Sequence, residues 1–282
     1  MNQTKKKNPL KRLLSMRGMG QVVTVTIGLI VLLVAFALIN PNFWSPTNRT
    51  NLLRQIAPIL IIGIAQSYVL ITGNIDLSIG SVVGMSTMVA ATLMSKGIMS
   101  PIPALLVTLL CCLLIGVLNG LLVAKFKLPP FIATLGTMTV ARGIAQLVNG
   151  NYNTDSIMKF YPEAAQTFKN VFYYGKTLGL YNGIWIAIIL WIVFNFLLSK
   201  TRTGRYIYAT GSNIDAARLS GVNVVSTTVI AYVVSAFCSF VVGIITCATV
   251  GQGTMDAGNS YEMYAVAASV IGGVSTLGGQ GI

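Results

Sequence analysis

One acidic residue stands where an oily chain has least room for it. Asp76 lies in the stretch GNIDLSIGS, Gly73 to Ser81, between two long apolar runs. An ionisable side chain at membrane depth costs about 3 kcal/mol on insertion scales, so it marks a pathway or a paired structural site. Asn74 and Ser78 flank it with short polar side chains, and Gly73 and Gly80 allow close backbone approach. Such a group can line a translocation path, hold a broken helix in shape, or cap a helix at the interface. Arg142 is a cation inside another apolar run. Its possible partners are a backbone carbonyl, Asp76, or the water at the interface. Asn119, Thr134 and Thr137 also lie in apolar runs and suit hydrogen bonds between helices more readily than contact with a solute.

Other chemistries lack their residues. The chain has no histidine, which removes the commonest general base and metal ligand. Cys111, Cys112, Cys238 and Cys247 sit in apolar runs at spacings that match no zinc or redox motif, as packing residues do. A nucleotide-binding P-loop needs G-x-x-x-x-G-K-[ST], and no stretch fits. Neither H-E-x-x-H nor G-x-S-x-G occurs.

A second polar stretch runs from Ser199 to Ser226 and carries Lys200, Arg202, Arg205 and Arg218. Its spacing predicts a two-turn helix over 214–220. Ser212 or Asn213 supplies the N-cap oxygen. Asp215 in the first turn and Arg218 nearer the end both suit the helix dipole. Gly221 is placed to take the left-handed C′ conformation, with Val222 as an apolar clasp. A short capped helix bearing small residues, held between two apolar runs, is built to be docked against.

These groups must be positioned by membrane helices. The 282 residues are 54% hydrophobic and only 9% charged, against about 25% charged in a soluble domain. The apolar runs predict spans over 22–39, 52–72, 82–93, 104–124, 132–148, 183–198 and 227–250, with an eighth beginning at 263. The short third run, beside a Gly-rich polar break, reads as a discontinuous or re-entrant helix. Pro58 is expected to kink the second span. No strand-like alternation of the β-barrel kind is visible.

Lys and Arg number 19 against 6 Asp and Glu, and they cluster between spans. That pattern fits topology and lipid headgroups, not nucleic acid. It places the basic tail, residues 1–20, in the cytoplasm, together with the loops at 125–131 and 199–226. It places the polar, tyrosine-rich loop 149–182 and the segment Gly251–Glu262 outside. The chain reaches Ile282 inside a Gly-rich apolar segment, which reads as a shortened C-terminus.

Four stretches together resemble one family: GNIDLSIGS; LLVAKFKLPPFIATLGTMTVARGIA; TRTGRYIYATGSNIDAARLSGVNV; and YAVAASVIGGVSTLGGQG. Their order and spacing are similar to those of permease subunits of bacterial ABC-type monosaccharide importers, of the ribose, xylose and galactose group. The resemblance implies an all-α polytopic membrane fold of the type II ABC importer kind, with residues 21–282 as the permease domain and about eight of an expected ten spans present. It implies a bacterial inner-membrane location with a cytoplasmic N-terminus. It makes the 199–226 loop the region that couples to a cytoplasmic ATP-binding subunit, with Gly204, Asn213, Ala216, Ala217, Arg218, Leu219 and Gly221 as its core. The pathway or broken-helix group would be Asn74, Asp76, Ser78, Gly80, Asn119, Thr134, Thr137 and Arg142. ATP and magnesium would be held by the partner ATPase, with no cofactor in this chain. The remaining partners would be a second permease subunit, identical or closely related, and an extracytoplasmic sugar-binding protein. A secondary transporter and a non-transporting shortened remnant stay open as alternatives.

Overall fold

The computed structural model describes residues 19–281. The basic tail, with Lys5, Lys6, Lys7, Lys11, Arg12 and Arg17, lies outside the described residues. Among the described residues the long elements are α1 (Met19–Ile39), α2 (Pro46–Ile71), α3 (Ile79–Ser95), α4 (Pro101–Ala124), α5 (Pro130–Leu147) and, after a short α6 (Pro162–Lys169), α7 (Asn182–Lys200). Then come α8 (Arg202–Ser212), α9 (Ile214–Leu219), α10 (Val224–Val250) and α11 (Tyr261–Ile271). Four of these, α2, α4, α5 and α6, begin on a proline. The ring presets the helical φ at a position whose N–H has no intrahelical acceptor anyway. α2 continues through Pro58 as one helix.

By length and composition, α2, α4, α7 and α10 are able to cross a membrane. Their packing shows the same thing from outside. The buried stripe of α4 is mostly small or polar, with Ala104, Thr108, Cys112, Gly116, Asn119 and Gly120 beside the larger Ile115. Its opposite face exposes Leu106, Leu110, Leu114 and Leu118. Small residues inside and leucines outside is the arrangement lipid selects, because helices then attract by close packing and not by water exclusion. Exposed Ile189, Ile192, Val193 and Phe196 extend the apolar surface onto α7. A water-soluble monomer rarely carries so large an apolar patch.

α10 is the centre of the bundle and packs on α4, α2 and α3. Gly116 and Gly120 of α4 bring it close. A Cβ on Gly116 would stand 2.8 Å from the Tyr232 carbonyl, and one on Gly120 would stand 2.5 Å from Val229 Cα. α3 is enclosed on every side, with all residues but Leu93 buried. Its neighbours are α10, α5 and α4. A 17-residue helix is about 25 Å long, short for a bilayer core of about 30 Å. Non-helical residues 74–78 lead into it.

The segment Gly251–Glu262, read from the sequence as an outer loop, packs against the bundle. It runs down the side of α3. Gly253 lies against Ala91 and Met88, Ala257 against Gly84, and Gly258 against Gly80. Non-helical backbone beside a membrane helix is tolerated where protein, not lipid, surrounds it. Glycine on both partners makes the room. Gly258 also takes φ +73°, which a side chain would strain. The chain therefore holds two broken segments side by side. One is coil then helix (74–78, then α3), and the other is coil then helix in the opposite direction (251–260, then α11).

Residues 149–182 are more ordered than their polar composition suggests. The Thr154 and Ile157 amides donate to the carbonyls of Gly253 and Gly251, each at 3.0 Å. α6 buries Ala165 and Phe168. A π-helical turn at Asn170–Tyr174 follows, and then a two-residue hairpin pairs Lys176 with Tyr181.

Candidate functional site

Asp76 is 2% exposed and sits at the entry to α3. One carboxylate oxygen, Oδ1, accepts from the Ser78 amide at 2.9 Å and from the Ser78 hydroxyl at 2.6 Å. The other, Oδ2, accepts from the Ser235 hydroxyl of α10 at 2.7 Å. The line continues away from the acid. Asn119 Nδ2 of α4 donates to Ser78 Oγ at 2.9 Å, and the Thr137 hydroxyl of α5 donates to Asn119 Oδ1 at 2.6 Å. Tyr232, one turn from Ser235, donates its hydroxyl to the Ile75 carbonyl at 3.0 Å. Every donor in the line points toward the carboxylate, so each bond polarises the next. The result is a satisfied, buried node that pins the break before α3 to α4, α5 and α10. The same oxygen that accepts from the Ser78 amide just before α3 also terminates the network, while the N-cap position of α3 is Ser78, whose side chain makes no cap bond.

The other candidates from the sequence fall around this node in different ways. Asn74 donates to the Thr72 hydroxyl at 2.8 Å and shapes the end of α2. The Thr134 hydroxyl bonds the Pro130 carbonyl of its own helix at 2.8 Å and stays out of the network. Arg142 does not meet Asp76. Its Nη1 donates to the carbonyls of Met255 and Ala257 at 2.9 and 3.0 Å, so it secures the second broken segment. Gly80 and Gly84 form the face that receives this segment. A Cβ on Gly80 would collide with the Gly258 carbonyl and the Glu262 carboxylate, and one on Gly84 would lie 2.8 Å from Arg142 Nη1.

At the opposite end from residues 149–182, α8 and α9 form a projecting tip. Thr201 caps α8, its hydroxyl accepting from the Gly204 amide at 3.3 Å. Gly204 is buried in the corner between α7 and α8, where a Cβ would run into the Leu198 carbonyl. Asn213 caps α9, accepting from the amides of Asp215 and Ala216 at 3.1 and 2.9 Å. Gly221 has φ +82°. Its amide reaches the Arg218 carbonyl, and the Val222 amide reaches that of Ala217, each at 3.0 Å. Arg218 and Asp215 stand 3.5 Å apart, both exposed, and such a pair adds little to stability. Two neighbours then divide. Ala217 is 4% exposed and packs inward, whereas Leu219 is 90% exposed with no apolar cover. Ala216 faces outward as well.

The tip is tied to the node by close backbone contact. Gly211, in the last turn of α8, leaves no space for a Cβ beside the Ile71 carbonyl at the end of α2. The Gly279 amide donates to that carbonyl at 2.8 Å. Gly278 is wedged between Gly211 and Gly73, its own missing Cβ 2.9 and 2.8 Å from their atoms. Gly73 is three residues from Asp76. A cavity of about 890 Å³ opens beside this contact, lined by Thr72, Asn74, Lys127, Gly211, Asn213 and Thr228 among others.

A family model described as the permease component of a branched-chain amino acid transport system matches residues 48–281. The chain belongs to that family, the type II ABC importer permeases. Among individual relatives, it is 40% identical to the ribose import permease protein RbsC of Haemophilus influenzae over 90% of this chain and 77% of that one. It is 35% identical to RbsC of Bacillus subtilis over the same shares. It is also 35% identical to the galactofuranose transporter permease protein YtfT of Escherichia coli, over 96% of this chain and 79% of that one. No solved structure matches the chain.

In this permease, sequence reasoning missed Ser235 and Tyr232, the α10 side of the node. A serine in a long apolar span was the available signal, and Ser239 one turn on gave the same signal without reaching Asp76; its hydroxyl bonds the Ser235 carbonyl at 2.9 Å. It also missed α8, and it missed Glu262, whose Oε2 is buried with no hydrogen-bond partner among the described residues.

Proposed function

We propose that this permease is the membrane-spanning subunit of an ATP-driven importer that carries a monosaccharide, pentose or hexose, delivered by an extracytoplasmic binding protein. The observation that carries this reading is the 40% identity, over nine-tenths of the chain, to a ribose import permease. The family description speaks of amino acids. Individual relatives carrying ribose and galactofuranose agree among themselves and span more of the chain. In this reading the tail 1–20 and the α8–α9 tip are cytoplasmic, and residues 149–182 face outward.

ATP and magnesium act in a separate subunit that grips the tip. Leu219 supplies the apolar contact, and the capped ends of α9 keep it rigid. When the ATPase closes, the tip moves. Gly211 transmits that movement to the end of α2, because the contact has no side chain to absorb it. The break at 72–78 and the node at Asp76 then shift relative to α10, and two permease subunits change their mutual tilt so that the path opens to one side at a time. The non-helical backbone at 74–78 and 251–260 gives the places that bend, since neither is locked by a helical ladder.

The direct test is co-purification. Tagged permease expressed with its candidate ATPase subunit should retain that subunit through detergent extraction. A permease that accumulates in the membrane at wild-type abundance yet retains no ATPase would reject this assignment and favour a secondary transporter.

A further inference from the structure

A second cavity, of about 540 Å³, opens at the end of the bundle that carries residues 149–182. Its walls are the first half of α2, the last turns of α10, and the start of α11. Asn51 and Gln55 lie one turn apart on α2 and line it. Neither side-chain amide hydrogen-bonds to the protein among the described residues, although both could give and accept. Arg54 lies between them in sequence. Its guanidinium is held over the Tyr181 ring at 3.4 Å and the Tyr173 ring at 4.8 Å. Its Nε is buried with no hydrogen-bond partner among the described residues. Tyr261 and Tyr264 of α11 form the facing wall, with ring centroids 6.1 Å apart at 66°. No carboxylate lines the cavity.

We infer that this cavity is the outward-facing subsite that receives the sugar as it leaves the binding protein, with Asn51, Arg54 and Gln55 as its hydrogen-bonding wall. The inference rests on the import reading above. The chemistry favours a neutral, polyhydroxylated ring over other ligands. A hydroxyl both donates and accepts, and side-chain amides are the groups that answer in both directions. Tyrosine faces cover the C–H side of a sugar ring, as apolar walls with a few convergent polar groups do in small-ligand sites. The guanidinium adds fixed donors for ring oxygens. Its place over two tyrosine rings stops it from folding away. The cavity also sits where the bundle moves. Its floor is Tyr261, at the junction between the second broken segment and α11, and Thr249 of its wall accepts from the Tyr174 hydroxyl at 3.0 Å through its carbonyl. A change at Asp76 or Arg142 that shifts α10 against α2 therefore opens or closes the subsite.

The test uses the whole complex of permease, ATPase and binding protein in proteoliposomes. Its readouts are uptake of radiolabelled ribose and allose and ATP hydrolysis stimulated by sugar-loaded binding protein. The wild-type complex comes first; if it imports neither sugar with ATP, the import reading falls and the variants need not be read. Given wild-type uptake, Asn51→Ala combined with Gln55→Ala should cut uptake roughly tenfold or more, from two lost hydrogen bonds at about 1 kcal/mol each. It should alter the ratio of ribose to allose uptake and leave stimulated ATP hydrolysis near the wild-type rate. Arg54→Lys keeps the charge but loses the planar donors; it should act in the same direction and serves if the double variant fails to accumulate. Wild-type uptake in both variants would overturn the subsite. So would a loss of uptake and of stimulated hydrolysis in equal proportion with the sugar ratio unchanged, because that marks a surface for the binding protein.

Discussion

Leu219→Ala is expected to weaken the hold of the ATPase subunit on this permease by roughly 10- to 100-fold. Burying a leucine side chain contributes about 1.5–3 kcal/mol, and each 1.4 kcal/mol is about tenfold in affinity. Leu219 is 90% exposed in the isolated chain, so its removal takes no contact from the permease fold itself. The loss should appear wholly in association, measured by titrating the ATPase onto permease held in nanodiscs. Leu219→Asp should weaken it further, because a carboxylate would have to be desolvated at the contact. Ala217→Arg would not report on the partner. Ala217 is buried against its own chain, so a long charged side chain there would push α9 off the bundle before it met any partner. Affinity unchanged in Leu219→Ala, with normal expression, would remove the tip from the docking surface.

The second large effect concerns the node. Asp76→Ala should lower the stability of the permease by about 3 kcal/mol, read from reversible unfolding in mixed detergent micelles. The Ser78 amide and hydroxyl and the Ser235 hydroxyl would lose their shared acceptor in a buried site. Asp76→Asn keeps an oxygen for Ser78, and the Ser235 hydroxyl is free to turn and accept from the new amide, so it should cost about 1 kcal/mol. Thr134→Val serves as control: its hydroxyl bonds only within α5, and stability should stay near wild type. If Asp76→Ala unfolds with the wild-type midpoint, the network does not hold the break before α3.

How much of this was legible in the amino-acid sequence depends on the range of the interaction. The cap at Asn213 and the turn at Gly221 were readable because cap, helix and clasp lie within ten residues and follow local rules. The helices were readable from apolar runs, with ends off by a few residues where prolines at 46, 101 and 130 start the helix before the apolar run does. Asp76 was readable as an anomaly, since a lone acid in that setting has a reason to be there. Its partner was not. Ser235 lies 159 residues away, and nothing local distinguishes it from Ser239. Arg142 left three options open, and packing alone chose the carbonyls of 255 and 257. The packing of segment 251–260 along α3 was not legible because polar coil is normally excluded from membrane depth. The rule forbids it only against lipid, and Gly80, Gly84, Gly253 and Gly258 make a protein-lined groove for it. α8 was missed because its eleven residues mix charge with apolar side chains, and its cap, Thr201, gave no stronger signal than other threonines nearby.

The node, the tip and the two broken segments acquire a common purpose only if energy enters at the tip and moves the bundle. The most direct measurement is sugar uptake into proteoliposomes that contain the complete complex, with labelled ribose outside and ATP inside, repeated with an ATPase subunit whose catalytic carboxylate has been replaced. The account predicts uptake that requires ATP and the binding protein and that falls to background with the inactive ATPase. Uptake that continues at the same rate without ATP hydrolysis would contradict it.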